Sequence, residues 1–467
     1  MMANGVDYFG NINARWEQKF RLYPDIFDKI MEVLGSNNSG VKPYIISGIK
    51  GSGKTALKRI LEEQYKQTYF CRSYDKITML IPPIAIDNSE SYFHLASNWL
   101  LIEICNTILK SIDFYDINEV KNSIGPIWAK IRNALTGLFD EVIVEGIDLR
   151  LIKLNFDRIP KKFHISNIPE DLYENNLKRL LQKKPVFILI DDFDSVFSGA
   201  TDNFNIVDGA LSAVANINER FQGLLTILVF PKISLSLLFR KNGRDADQIS
   251  PNRYIDISWS ESNLIDLITR RIVEIRNPVN ISDPNKVWEL EFDDVVTIQK
   301  LIVSMSMNGP RDVINIANLA KANAGDDKIK LSNVKNILNG YVTEKMQLLN
   351  AQYSLLWKKI GDIVRKLSIE VSGKISKEDL EIQLRKFNIN IDLRVYPEWL
   401  WFVDSDLDEL IKILYQVGFI GYKSDTNSKI IFFFNNPDIS DIINKKQFVV
   451  HKIFSYLRRS RATSKKR

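Results

Sequence analysis

Eight consecutive residues, Gly48, Ile49, Lys50, Gly51, Ser52, Gly53, Lys54 and Thr55, satisfy G-x-x-x-x-G-K-[ST] at every fixed position. Each residue type has a chemical use at that spacing. Glycines let successive backbone N–H groups turn into one concavity, where they can hold an anion. A lysine closing the run can reach the outer phosphates of a nucleotide, and the hydroxyl after it can ligate a divalent cation. The stretch follows an apolar run, Tyr44-Ile45-Ile46, and precedes a helix-like one, Ala56 to Leu61. A strand, a glycine loop and a helix in that order place the loop at a helix N-terminus, which favours bound phosphate. A Gly-rich turn before any helix would match the bare pattern; the flanking elements favour a phosphate cradle formed by Gly48, Gly51, Ser52, Gly53, Lys54, Thr55 and Ala56.

A second stretch complements the first. Val186 to Ile190 is five apolar residues in a row, followed by Asp191, Asp192, Phe193 and Asp194. The apolar run predicts a parallel strand buried on both faces, and acids at its carboxyl end lie where open α/β sheets bind ligands. Asp191 is placed to hold Mg²⁺ through water. Asp192 is placed to orient an attacking water, with Asp194 as the next candidate. Alone, the segment reads as a buried strand entering an acidic turn; beside the glycine loop it reads as the second half of a nucleoside triphosphate site.

The chain has 467 residues, 45% apolar and 26% charged, ordinary for a globular protein of about three domains. Two cysteines, Cys71 and Cys105, and three scattered histidines fit neither a disulfide framework nor a metal cluster. No apolar run approaches the ~18 residues of a membrane span, and the first residues lack the build of a signal peptide. The expectation is a soluble, cytoplasmic chain without a membrane partner. The net charge of +6 is concentrated at the end: residues 445–467 contain nine Lys or Arg and no acid, leaving a balance of −3 before them.

Several elements must position these residues. A helical lead-in carrying Phe27, Ile30, Met31, Val33 and Leu34 precedes the loop, and Asp7 to Asn11 stands in a position that often covers a nucleotide base. Residues 65–180 read as a helical insertion, with amphipathic helices over 92–112 and 127–138. Further helices over 206–221 and 261–275 alternate with strands over 223–230 and 252–259, completing a parallel, helix-covered sheet. Gly309-Pro310 ends one helix and Arg311 opens the next in a small helical segment. After residue 350 the rhythm changes to helices over 357–369, 377–387 and 404–417, then strands over 419–422 and 430–434, a winged-helix pattern. The expected divisions are 1–275, 276–350, 351–440 and a basic tail over 441–467.

The order of glycine loop, long insert, Ile190-Asp191-Asp192-Phe193-Asp194, Arg253 before a strand, Trp259-Ser260 opening a helix, Gly309-Pro310-Arg311-Asp312 and a terminal winged helix resembles bacterial P-loop ATPases of the AAA+ class. The group is similar to origin-recognition and STAND ATPases. The resemblance implies an α/β P-loop fold with a helical lid, ATP and Mg²⁺ as ligands, Arg311 in the sensor-2 role and Arg253 as the first candidate for a trans-acting arginine finger, with Arg240 and Arg244 behind it; a solvated surface arginine is an equal alternative for Arg253. It also implies a regulatory or defence setting. Two positions depart from the family pattern. Asp192 replaces the usual glutamate, one methylene shorter, and Pro231-Lys232 stands where the third strand normally ends in a polar sensor, with Thr226 too early to serve. Misplacement by ~1 Å can cost 10²-fold in rate, so slow hydrolysis is expected.

Two functions follow. The first is a switch whose nucleotide state alters contacts with a protein partner or with other copies of itself. The second is an origin-recognition-like DNA-binding ATPase using the winged helix and the tail. A groove-reading helix should present Arg, Lys, Asn or Gln to phosphate-rich DNA, whereas Asp404, Asp406, Asp408 and Glu409 open the third helix. Those acids also suit a helix N-terminus. In the tail, basic residues surround Phe448, Phe454 and Tyr456, which fits nucleic acid and fits a solvated tail equally well.

Overall fold

The computed structural model describes residues 8–10, 45–49, 51–65, 70–74, 174–183, 186–190, 203–221, 224–231 and most of 254–457, with isolated helical positions between 93 and 104. The chain divides into two compact units.

One unit, residues 24–48 and 54–256, is built on a sheet. Strand β1 (Ile45–Gly48) leads to helix α1 (Lys54–Tyr65), β2 (Phe70–Tyr74), α2 (Glu174–Lys183), β3 (Val186–Ile190), α3 (Asn203–Arg220), β4 (Leu224–Pro231) and β5 (Tyr254–Ile257). The strand order is β2-β3-β4-β1-β5. The β1/β4, β2/β3 and β3/β4 pairs are parallel. β3 is buried at every position, as its uninterrupted apolar run predicts for a strand covered on both faces. Helix α1 packs against β1 and β2, and α3 against β4. The α3–β4 seam carries a two-way clamp: Asn218 Nδ2 donates to the Thr226 carbonyl at 2.7 Å, and the Thr226 N–H donates to Asn218 Oδ1 at 2.8 Å. Phe93, Ala96, Ser97, Leu100, Leu101 and Ile104 are helical, in agreement with the helix expected over 92–112. The helical insertion expected over 65–180 is interrupted: Phe70–Tyr74 is strand β2, paired parallel with β3, so the chain returns to the sheet directly after α1, and Glu174 opens α2. Residues 105–173 and 11–44 lie outside the described residues.

The other unit contains residues 1–23, 49–53 and 257–467. It begins with α4 (Glu261–Arg276), α5 (Pro284–Trp288), α6 (Val295–Met305), α7 (Pro310–Ala324) and α8 (Leu331–Gln352). Ser260 caps α4 through a capping box with Asn263, and Asn277 ends it in the left-handed region at φ 45°. Phe9 stacks on Phe292, which also packs against Trp288, and Trp288 Nε1 donates to Thr269 Oγ1 at 2.8 Å. These buried rings form the core of the helical segment.

Helices α9 (Ile360–Glu370), α10 (Lys377–Ile389), α11 (Leu400–Asp404) and α12 (Leu407–Gln416) follow, with short strands β6 (Lys374–Ser376), β7 (Ile420–Lys423), β8 (Ile430–Ile431) and β9 (Gln447–Val450). The sheet order is β6-β9-β7-β8, with all three pairings antiparallel. Three expectations change here. The helix expected over 404–417 starts later, at Leu407: Asp404 is the last residue of α11, and Asp406 caps α12 by accepting the Glu409 N–H at 2.7 Å. The strand expected over 430–434 spans only two residues. The tail expected from 441 is folded as far as Leu457. β9 pairs on both sides, and Phe448, Ile453 and Phe454 are fully buried. Two of the three aromatic residues that suggested a nucleic-acid tail, Phe448 and Phe454, face inward from a strand and a short helix, whereas Tyr456 is half-buried; residues 458–467 lie outside the described residues.

Candidate functional site

β1 ends at Gly48 and α1 begins at Lys54, so the glycine loop joins a buried strand to a helix N-terminus. Gly51 has φ 87° and Gly53 φ 95°, the left-handed region open to glycine at little cost. The Ser52 N–H donates to the Ile49 carbonyl at 3.1 Å, closing a tight turn. Lys54 bends back so that Nζ donates to the Gly48 carbonyl at 2.8 Å. Thr55 and Ala56, in the first turn of α1, are half-buried. The Ser52 hydroxyl is buried, with no hydrogen-bond partner among the described residues.

Two elements hold the loop from outside. Trp259, just before α4, donates its buried Nε1–H to the Ser52 carbonyl at 2.8 Å. α7 starts with Pro310 at its first turn, where a residue without N–H is tolerated and the backbone is preset for helix. This places Arg311 beside the loop. A Cβ built on Gly51 would lie 3.2 Å from Arg311 Cβ, one on Gly309 would lie 3.8 Å from the Gly51 carbonyl oxygen, and the Arg311 N–H makes a long contact of 3.5 Å to that same oxygen. Arg311 and Gly51 are therefore brought together, although 260 residues separate them in sequence.

The strand register locates the other expected residues. β3 ends at Ile190, which pairs with Leu228 of β4, and Asp191 follows directly. Asp191, Asp192 and Asp194 lie outside the described residues, as do Lys232, Arg240, Arg244 and Arg253. Pro231 pairs with Gly48, so β4 runs level with the strand end that opens the loop. Thr226 pairs with Ile188, in the middle of β3, and is fully buried, in accord with its being too early for a sensor.

The loop fits a polyphosphate. Its two left-handed glycines permit the close backbone approach that a phosphate needs, Lys54 could supply a cation to it, and the Thr55 hydroxyl could supply one oxygen to a divalent metal. Among the described residues no group of three or more His, Cys, Asp or Glu could hold a metal ion. No helix among the described residues is long and apolar enough to cross a membrane.

Two charged clusters were not legible in the sequence. Asp312, next to Arg311, is buried and accepts Lys345 Nζ at 2.8 Å on each carboxylate oxygen, while Oδ2 also accepts the Met307 N–H at 3.1 Å. Burial opposes the charge on Asp312, but the Lys345 ammonium and these hydrogen bonds outweigh it and hold the carboxyl below its ordinary range. The second cluster surrounds the fully buried Glu291, which accepts the Tyr8 hydroxyl at 2.5 Å, pairs with Arg276, and lies 3.3 Å from Lys321 Nζ. Around it, Phe9 N–H donates to Asn318 Oδ1 at 2.7 Å, Asn318 Nδ2 to the Gly10 carbonyl at 3.0 Å, and Arg271 to the Phe9 carbonyl. Residues 8–10 are thus fastened to α4 and α7. The partners are 33 residues apart in the first cluster and as much as 309 in the second, so no local pattern announces them.

No protein-family model and no curated protein matches the chain. Among solved structures it is similar to the Walker-type ATPase PABY2304 of Pyrococcus abyssi, with 12% identity, TM-score 0.41, and coverage of 91% of this chain and 98% of that one. It is similar to the Aeropyrum pernix ORC1 protein in complex with DNA, with 10% identity, TM-score 0.36, and coverage of 96% and 95%. It is also similar to the Thermotoga maritima RuvB Holliday junction branch migration motor, with 11% identity, TM-score 0.33, and coverage of 89% and 94%.

Proposed function

We propose that this chain is a P-loop ATPase of the AAA+ class that binds ATP with Mg²⁺ at residues 48–56, hydrolyses it slowly, and acts as a switch on a protein partner or on other copies of itself. The observation that carries the reading is the loop itself: a buried strand ending at Gly48, left-handed Gly51 and Gly53, and Lys54 opening a helix. Lys54 contacts the β- and γ-phosphates, and Arg311, beside Gly51, contacts the phosphate held by the loop. Thr55 and Asp191 hold Mg²⁺, which supplies charge neutralisation to the phosphates when bound. Asp192 accepts a proton from the attacking water and orients it; being one methylene shorter than glutamate, it does so at reduced rate. Arg253 serves a neighbouring copy. The proposed domains are an ATPase domain built on the parallel sheet, a helical lid, and a winged helix that runs on to Leu457 because β9 completes its sheet. A regulatory or defence setting is the context the family resemblance suggests for such a switch.

The DNA-loader alternative is weakened by two observations. The first turn of α12 carries Asp408 and Glu409 behind the Asp406 cap, and like charge opposes entry into a groove lined by phosphates. The aromatic residues Phe448 and Phe454 are core and are not available for base stacking. The test is the steady-state ATPase rate with and without duplex DNA at low and moderate salt. A slow rate indifferent to DNA supports the switch. Strong stimulation that fades with salt and is lost on deleting residues 458–467 would favour the loader.

A further inference from the structure

Lys345 lies on α8, 33 residues beyond Asp312, and no motif points to it. Its ammonium is within 2.8 Å of both Asp312 oxygens, and the two side chains are only 14% and 10% exposed. Such a chelated, largely desolvated pair is geometrically demanding, and removing one partner strands the other charge. Asp312 is the third residue of α7, so fixing its carboxylate fixes the first turn of the helix. The same carboxylate takes the Met307 N–H, which ties down the chain that enters the turn. Arg311 precedes Asp312 directly, and its Cβ is the atom nearest to where a Gly51 side chain would begin. The order of contacts is Lys345, Asp312, helix start, Arg311, glycine loop. Lys345, Asp312, Arg311 and Gly51 belong to one compact unit.

We propose that Lys345 is a positioning residue for Arg311: through Asp312 it holds the first turn of α7 so that Arg311 meets the terminal phosphate on the glycine loop, and so sets the preference for ATP over ADP. This rests on the reading of residues 48–56 as an ATP site. The same pair also serves stability, so stability alone does not test it. The discriminating quantity is the ratio of ADP to ATP dissociation constants, which a merely structural role would leave unchanged because both nucleotides would weaken together.

The experiment titrates fluorescent ATP and ADP analogues into the full chain and into Arg311→Ala, Lys345→Met, Lys345→Arg and the double variant Arg311→Ala/Lys345→Met, with thermal unfolding followed in parallel. Where Lys345→Met fails to fold, Asp312→Asn/Lys345→Met replaces it, since it leaves no uncompensated buried charge. Arg311→Ala is expected to lower the ratio about tenfold, the scale of one charge-assisted contact. Lys345→Met, or the charge-free pair, is expected to reproduce most of that loss, Lys345→Arg to restore it, and the double variant to lose no more than Arg311→Ala alone. A wild-type ratio in the Lys345 variants, with Arg311→Ala clearly reduced, overturns the proposal and leaves the ATP site standing. Additive losses in the double variant also overturn it. An unchanged ratio in Arg311→Ala overturns the role of Arg311 and the positioning proposal together.

Discussion

Arg311 and Gly51 stand so close that a Cβ at residue 51 would lie 3.2 Å from Arg311 Cβ. Glycine is needed there twice over, for its φ of 87° and for the space α7 leaves it. Gly51→Ala places an L side chain in the left-handed region at about 1–2 kcal/mol and pushes on the first turn of α7. We expect nucleotide affinity to fall by tenfold or more while the thermal midpoint moves little, read by titration of a fluorescent ATP analogue and by differential scanning fluorimetry.

Asp192→Asn keeps the size of the side chain and removes its capacity to accept a proton. ATP affinity is expected to stay within about twofold while turnover falls by 10²-fold or more, the usual scale for a general base. Single-turnover hydrolysis of radiolabelled ATP separates the two quantities. An unaltered rate would pass the role to Asp194 or remove it from this acidic segment.

His451 gives the C-terminal segment a pH dependence. Burial first, and then the nearby Lys345 charge, push its imidazole down to about 4; Asp312 and Lys452 act on it as well, in opposite senses. Unfolded histidine titrates near 6.5, so between those values the unfolded chain binds the extra proton and stability falls as the pH drops. His451 is expected to remove up to about 3 kcal/mol of stability as the pH falls from above 7 to 4. His451→Phe, which keeps a ring against Phe432 and Phe434, should flatten urea midpoints over that window; an unchanged slope would mean that histidine is not the titrating group.

Gly361 tests the packing of α9 on α8. A Cβ there would sit 2.2 Å from the Met346 carbonyl oxygen, which is backbone and cannot turn aside. Gly361→Ala is therefore expected to cost about 3 kcal/mol by overpacking, seen as a lower urea midpoint, although alanine is the better helix former.

The loop and its strand were legible because their information is local: consecutive glycines, a lysine and a five-residue apolar run specify turn, cation and buried strand within a dozen residues. Gly309-Pro310 was legible for the same reason, since proline presets a helix start. The C-terminal sheet was less so. β6 and β9 are three and four residues long and separated by about 70 positions, and the lysines flanking Gln447–Val450 masked an alternating strand. The acids at 404–409 looked like one helix opening because helix ends and caps share composition; only the geometry shows Asp406 as the cap. Lys345 and Glu291 were invisible because their partners are distant in sequence.

The most direct test of ATP binding at the glycine loop is isothermal titration of Mg·ATP into the wild-type chain and Lys54→Ala. Lys54 supplies the loop's phosphate-reaching cation, and charge-assisted contacts to phosphate are among the strong ones. One site per chain is expected for the wild type, with no measurable binding to a folded Lys54→Ala variant. Equal affinity in the two proteins would contradict the assignment of the loop.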